Sequence, residues 1–316
     1  MKARYLTFFS YIGSPFRFKL WLKDGKNYTD LESVQGRLEL ALKDLRSLNY
    51  PNLILSSRTD GGVHALKSSA HFDLERFGSK IYEPHQITYS LNKYFLRTDT
   101  PIYIKDCLRV SDNFHARFKA LSRTYLYRFA VLKKDVVFPE YTSIAQHIPI
   151  EEWKRCHFMR APDFDIERFK EGTKYFLGIH DFTTFKRFDK LKQHKHNRRE
   201  LKHIEVRPGV PLLTSYQRDS VWDYWDVEFT GRAFVHNQIR RMMGTLNSVA
   251  QGKLAPEEIK VMLQVPSKHS WYSSIQNCPP HGLYLCDVKY NPEDLVYREQ
   301  ADARVSDNSE QDSEEE

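Results

Sequence analysis

The sequence predicts a mixed α/β chain (α+β in detail), with two halves that each hold a mainly antiparallel sheet backed by helices and meet at a central basic cleft. Three observations carry that expectation. Strand-like segments alternate with amphipathic helical stretches in both halves. Hydrophobic residues make up 41% and aromatic residues 14% of the 316 positions, enough to bury the cores of two modest units. No apolar run approaches the ~20 residues that a membrane-spanning helix needs, and no repeat of fixed period is visible.

Residues 1–118 read as the first half. Tyr5–Phe9 is strand-like directly after Met1-Lys2-Ala3-Arg4, which leaves no room for a separable signal or transit peptide and argues against secretion. Thr29-Asp30-Leu31-Glu32 fits a capping box with Thr29 as N-cap, and Leu31, Val34, Leu38, Leu42, Leu45 and Leu48 follow at helical spacing. A strand over Leu53–Ser57, the Asp60 loop, a strand over Ser68–Leu74, a helix over Ile87–Leu96 and a strand over Ile102–Arg109 complete this half.

Residues 119–292 form the second half. It opens on Arg123–Val131, where Tyr125, Tyr127, Phe129 and Val131 share one strand face. A helix over Phe169–Leu177 takes Gly178 as its C-terminal cap. The His-rich stretch Lys186–His203 lacks a hydrophobic period and reads as a mobile loop leading to a strand near Leu201–Val206. A strand over Val221–Thr230, a helix from Val235 to Ala250, a helix opened by Pro256 and a last strand from Gly282 to about Lys289 follow. Residues 293–316 are acidic and poor in apolar residues, the composition of a disordered tail.

Charge narrows the partner. The net charge is +7, but the tail holds ten acids and two arginines, which leaves +15 on residues 1–292. A body that basic calls for a polyanion, most simply nucleic acid. Eight Lys/Arg cluster between Lys186 and Lys202 against only Asp189 and Glu200. Cys107, Cys156, Cys278 and Cys286 form no CxxC, which speaks against a metal site or a disulfide framework and for buried thiols in a reducing compartment.

Three local patterns bear on chemistry. Leu53-Ile54-Leu55 feeds into Arg58-Thr59-Asp60-Gly61-Gly62, which raises a carboxylate at a tight corner beside an arginine. By pattern alone Asp60 is a nucleophile, a base or half of a turn-stabilising ion pair. Arg240 and Arg241 fall in the early turns of a helix, where a cation opposes the helix dipole and calls for a carboxylate such as Asp60 or a phosphate. Tyr125, nearest its strand's start, is placed to reach a cleft, whereas Tyr127 suits the core.

Arg58–Ala65, Phe114-His115-Ala116-Arg117, Arg123-Thr124-Tyr125-Leu126-Tyr127, Phe234-Val235-His236 to Arg240, and Gly282-Leu283-Tyr284-Leu285 occur in the order seen in TruA-type tRNA pseudouridine synthases. The chain resembles that family from about Arg4 to Tyr290. Among its subgroups it looks most like the eukaryotic tRNA pseudouridine synthase-like 1 proteins, whose opening Tyr-x-Gly resembles Tyr11-Ile12-Gly13. The resemblance implies a pseudouridine synthase fold of two ferredoxin-like halves and isomerisation of a uridine in tRNA without cofactor or metal. It implies that Asp60 attacks the nucleoside, that Tyr125 stacks on the base and removes its C5 proton, that Arg240 pairs with Asp60, and that Arg58 holds the flipped nucleotide open.

With Arg58, the side chains expected on RNA are His64, His115, Arg117, Arg123, Lys186, Arg187, Arg198, Arg199, His236 and Arg241. The resemblance implies tRNA as the partner, with other RNA as a further candidate, no membrane, and a homodimer carried over from bacterial relatives. The location expected is intracellular, cytoplasmic or mitochondrial. Departures from the family pattern, namely Gly61 for its alanine, Ile12 for an aspartate, Pro15–Phe18 for a Gly-Trp-Gln, and Glu200 after Arg199, bear on the target uridine more than on the reaction. Two other readings compete. One is a catalytically inactive RNA-binding or RNA-folding protein that kept the cleft. The other is a metal-dependent hydrolase using His194, His196 and His203, opposed by the lack of a carboxylate at ligand spacing and by basic surroundings.

Overall fold

The structure is a computed structural model that describes residues 1–17, 22–23, 26–27, 30–136, 142–187, 196–216 and 221–297. Among them the N-terminal half supplies β1 (Lys2–Tyr11), β2 (Leu22–Lys23), β3 (Lys26–Asn27), α1 (Val34–Lys43), β4 (Ile54–Leu55), β5 (His64–Glu75), α2 (Pro84–Arg97) and β6 (Ile102–Val110). The C-terminal half supplies β7 (Ser122–Leu132), β8 (His157–Met159), α3 (Ile166–Lys174), β9 (Gly178–Asp181), β10 (Arg198–Pro208), β11 (Trp222–Gly231), α4 (Gln238–Ala250), α5 (Glu258–Gln264), β12 (Leu283–Lys289) and α6 (Pro292–Leu295).

Ten of these strands, from both halves, join into one sheet in the order β6-β1-β5-β12-β7-β11-β10-β9, with β4 beside β5 and β8 beside β7, while β2 and β3 pair with each other. Every pairing is antiparallel except β7 with β8 and the seam, where β12 lies parallel to β5 through Tyr284 opposite His64 and Leu285 opposite Ala65. The seam is short, so the halves also depend on a common core. Leu38, Leu42, Ile87, Leu91 and Phe95 of α1 and α2 share one buried cluster with Phe169, Met242, Met243 and Leu246 of α3 and α4. The β7 face foreseen from alternation lies in it: Tyr125, Tyr127, Phe129 and Val131 are all buried, and Phe129 stacks on Phe169 at 5.5 Å.

Several boundaries move from their expected places. Thr29 lies outside the described residues, and α1 is capped by Ser33, whose hydroxyl accepts from the Gly36 amide at 3.0 Å. Asp30 instead closes a local turn onto the Glu32 amide, which leaves Leu31 44% exposed rather than on the helix's buried stripe. The strand expected over Leu53–Ser57 shortens to β4. Tyr175 caps α3, and Gly178 opens β9 three residues later. The helix expected from Pro256 begins at Glu258, after a turn closed by the Glu258 amide on Ala255 oxygen. The tail expected to be disordered from residue 293 instead starts within α6, capped by the Asn291 side chain on the Glu293 amide, and His194 and residues 298–316 lie outside the described residues.

Two buried histidines make the fold sensitive to acid. Burial holds His64 at a pKa of about 4, and burial together with the nearby Arg4 and His115 charges does the same to His71; each is 3% exposed. Both stay neutral in the fold, whereas the unfolded chain protonates them near the ordinary value of about 6.5. Stability is therefore full above about pH 6.5 and falls as pH drops to about 4, by on the order of 3 kcal/mol for each histidine. Urea denaturation at pH 7.0 and pH 5.0 checks this: the midpoint falls in acid, and His71→Gln flattens the difference.

Candidate active site

The loop that carries Asp60 is a tight corner between β4 and β5. The Val63 amide donates to Asp60 oxygen at 3.1 Å, the Gly62 amide to Phe16 oxygen at 3.2 Å, and Gly62 takes φ +86°, a conformation that favours glycine. Thr59 Oγ1 sits 2.7 Å from the Tyr11 hydroxyl. These contacts lash the corner to the β1 end of the sheet and leave the Asp60 carboxylate 17% exposed.

Both carboxylate oxygens are gripped from the start of α4. Arg240 Nη1 lies 3.2 Å from Oδ2, and His236 Nε2 lies 3.3 Å from Oδ1. Arg240 is itself fixed, because its Nε donates to Cys278 oxygen at 2.7 Å and its Nη1 to Asn237 Oδ1 at 3.2 Å. Asn237 takes φ +63°, a left-handed turn that delivers His236 and Arg240 to the same carboxylate. The Cys278 carbonyl stays in place because its segment lies flat on α4: a Cβ on Gly244 would stand 2.0 Å from Gln276 oxygen. Burial pushes the Asp60 carboxyl up, but the His236 hydrogen bond and the His236 and Arg240 charges outweigh it, and the net shift is downward. Asp60 is thus an oriented carboxylate, ionised at neutral pH.

Tyr125 stands beside it at the cleft end of β7. Its hydroxyl lies 3.0 Å from Ser57 Oγ, and Phe234 meets its ring edge-on at 5.1 Å between centroids. Burial raises the phenol's pKa and the Asp60 charge adds to this, so Tyr125 holds its proton at neutral pH. Proton removal by Tyr125 would therefore require that the phenol first give up its own proton as substrate enters.

The remaining candidates separate into struts and surface groups. His64, 3% exposed, accepts the Gly13 amide at Nδ1 (3.1 Å), lies 3.0 Å from Lys154 oxygen at Nε2 and stacks on Tyr284 at 4.6 Å. Both ring nitrogens are taken, so it is a brace of the seam, not a contact for RNA. Arg123, 6% exposed, donates to Ser56, Arg117 and Arg232 oxygens and ties β7 to the Asp60 strand. Arg241 turns from the cleft, donating to Thr184 oxygen at 2.8 Å with its guanidinium 4.4 Å over Trp271. Arg58, Arg117, Arg187 and Arg198 are exposed, while His115, Lys186 and Arg199 are half-buried. The Arg187 amide donates to His236 oxygen at 3.0 Å, so this basic segment abuts the clamp. His196 and His203 are exposed, and among the described residues no three His, Cys, Asp or Glu side chains could hold a metal.

Sequence reasoning missed three parts of the site: His236 as the second grip on Asp60, Ser57 as the partner of Tyr125, and the Cys278 carbonyl that fixes Arg240. It also passed over Phe118, 72% exposed and stacked on His115 at 4.2 Å. The Phe114–Arg117 motif ends one residue before that ring, which was the available signal.

A clamped carboxylate beside a buried tyrosine, at the seam of a mixed α/β sheet on a basic body, defines a class of site built for carboxylate chemistry on a polyanion. Comparison with known proteins gives the family. The family profile described as "tRNA pseudouridine synthase" matches residues 173–291. A tRNA pseudouridine synthase-like 1 from Xenopus laevis is 33% identical over 294 residues, 93% of each chain. Its Homo sapiens namesake is 32% identical over 295 residues, 92% of this chain and 91% of its own. A tRNA pseudouridine synthase A from Dinoroseobacter shibae is 31% identical over 291 residues, 92% of this chain and 97% of its own. The chain belongs to the tRNA pseudouridine synthase family.

Two outcomes follow from the clamp. Arg240→Gln removes a charge that opposes burial, so the Asp60 carboxyl should titrate at higher pH than in the wild type, readable by ¹³C NMR of the labelled carboxyl. Gly244→Val should displace the 275–278 segment and cost about 1–3 kcal/mol of stability by overpacking, measurable by denaturation.

Proposed function

We propose that this protein isomerises a uridine in tRNA to pseudouridine, with Asp60 as the nucleophile, Arg240 as its fixed counter-ion and Tyr125 at the base. The observation that carries the reading is the Asp60 carboxylate, held ionised between Arg240 at 3.2 Å and His236 at 3.3 Å beside the Tyr125 ring. RNA binding alone would need none of this, because a cationic surface suffices to hold phosphate.

The reaction is balanced without an added reagent. The N1–C1′ bond breaks with help from Asp60, the uracil turns, a C5–C1′ bond forms, C5 loses a proton and N1 gains one. A base inside an RNA helix must leave its stack to be reached, at a cost of a few kcal/mol that stacking and phosphate contacts offset. Tyr125 supplies an aromatic ring, and the exposed Arg58, Arg117, Arg187 and Arg198 supply cations open to phosphate. Arg58 is the side chain assigned to hold the extruded nucleotide.

A homodimer belongs to the same proposal and is read by light scattering of the purified protein. A reducing compartment that holds tRNA, cytoplasmic or mitochondrial, suits three buried thiols at Cys107, Cys156 and Cys278. Cell fractionation decides between the two.

Tritium release from tRNA labelled with 5-³H-uridine tests the reaction. Asp60→Ala should release none while tRNA binding survives, and wild-type turnover in that variant would sink the proposal. Tyr125→Phe keeps the ring and loses the hydroxyl, so turnover should fall by about 10²–10⁴-fold if the phenol moves a proton.

A further inference from the structure

A second basic and aromatic groove lies at the other end of the N-terminal half. It is a cleft of about 620 Å³ between the chain leaving α1, with Leu45, Arg46 and Leu48, and the first turns of α2, with His85, Gln86 and Tyr89; Arg76, Phe77 and Tyr82 complete it. β5 separates it from the active site. That strand runs 12 residues from His64, just after the Asp60 loop, to Glu75, just before Arg76, a span of about 40 Å.

The groove's chemistry is unusual for a solvent-facing surface. Phe77 is 89% exposed, Tyr89 68% and Leu48 64%, so three large apolar side chains lie open in one place. Cations interleave with the rings: the Arg76 guanidinium lies 5.5 Å from the Tyr82 ring and Lys93 Nζ lies 5.9 Å from the Tyr89 ring. Tyr82 is anchored, since its hydroxyl donates to Leu45 oxygen at 3.1 Å and its carbonyl accepts from the Tyr5 hydroxyl at 2.7 Å. Arg46 is held in the left-handed region at φ +55° on the groove's wall. Residues 43–48 and 75–97 carry six Lys/Arg against Asp44, Glu75 and Glu83, and Asp44 is partly spoken for by Arg97 at 3.5 Å.

Exposed rings flanked by cations match the two faces of an unpaired nucleotide: the ring stacks on the base and the cation meets the phosphate. We propose that this groove binds unpaired nucleotides of the tRNA substrate at a point about 40 Å from the uridine at Asp60. The site rests on the reading of tRNA as substrate and extends it. One nucleotide cannot reach both places, so the groove reads the folded shape of the RNA and holds it while Asp60 acts elsewhere. A double-stranded segment would not serve, because its bases are stacked on each other and hide the faces that Phe77 and Tyr89 would take.

Photo-cross-linking tests the placement. Full-length tRNA carrying 4-thiouridine is irradiated on the wild-type protein and the protein is cut with trypsin. RNA is expected on the peptides Phe77–Lys80 and Ile81–Lys93, besides those of the Asp60 cleft. Phe77→Ala with Tyr89→Ala alters two exposed side chains, and denaturation confirms that its fold is intact. This variant should raise KM for full-length tRNA at least about tenfold, keep kcat within about twofold, and lose the two cross-links. Unchanged KM, or no cross-link on those peptides in the wild type, overturns the proposal. RNA affinity left intact while binding of a protein partner is lost overturns it too. Pseudouridine formation by the wild type is measured in parallel: its absence would refute the reaction, whereas the cross-links decide the groove.

Discussion

The Asp60–Arg240 ion pair joins two groups 180 residues apart in the chain, and neither is comfortable alone. A carboxylate this buried loses most of its hydration, a cost that rises steeply without a partner. An arginine in the first turn of a helix opposes the dipole there. Each defect answers the other. Arg240 offsets the burial of Asp60, while Asp60, with the Cys278 and Asn237 oxygens, offsets the placement of Arg240. The pair forms only when the N-terminal loop and α4 meet across the seam, so the site and the closure of the two halves are one event.

The seam is built accordingly. With only two registered residue pairs between β5 and β12, main-chain pairing is too short to fix the halves by itself. Polar side chains do the rest: Arg123 reaches Ser56 oxygen at 2.7 Å, the Ser69 hydroxyl lies 2.8 Å from the Tyr290 hydroxyl, and the Tyr290 hydroxyl donates to Ala116 oxygen at 2.8 Å. His64 adds its Nε2 on Lys154 oxygen and its stack on Tyr284. Buried polar groups of this kind are costly unless satisfied, and once satisfied they admit few alternative arrangements. That rigidity fixes the Asp60 carboxylate, because an error in the docking of the halves becomes an error in its aim.

Much of this was legible in the sequence. The corner at Asp60 announced itself through an apolar run that ends in Arg-Thr-Asp-Gly-Gly, and the misplaced charge of Arg240 pointed to a carboxylate partner. Strands with alternation, such as β7, were read nearly to their ends. What stayed hidden depends on tertiary contact. The cap of α1 is Ser33, four residues past the expected Thr29, and the Asp30 turn before it is set by a contact that no local pattern reveals. His64 and Arg123 carry no mark of burial in sequence; a polar side chain becomes a strut only through partners such as Gly13 and Arg232 that lie far along the chain. His236 looked like one more cation in a basic protein until the left-handed turn at Asn237 aimed it at Asp60.

The same sorting changes what the charge of +15 on residues 1–292 means. Net charge suggests a uniformly sticky surface, but many of its arginines are spent inside. Arg4 pairs with Asp73 at 2.7 Å, Arg128 with the fully buried Glu152 at 2.9 Å, Arg123 is ringed by carbonyls, and Arg241 lies over Trp271. None of these offers its charge to a phosphate without giving up a structural bond. Arg58, Arg117, Arg187 and Arg198 remain exposed, so their charges are open to phosphate. Binding that follows counterion release counts only charges that meet phosphate. The salt dependence expected of binding to a polyanion is therefore set by exposed cations such as these, and the buried arginines bear on it only through the fold they hold.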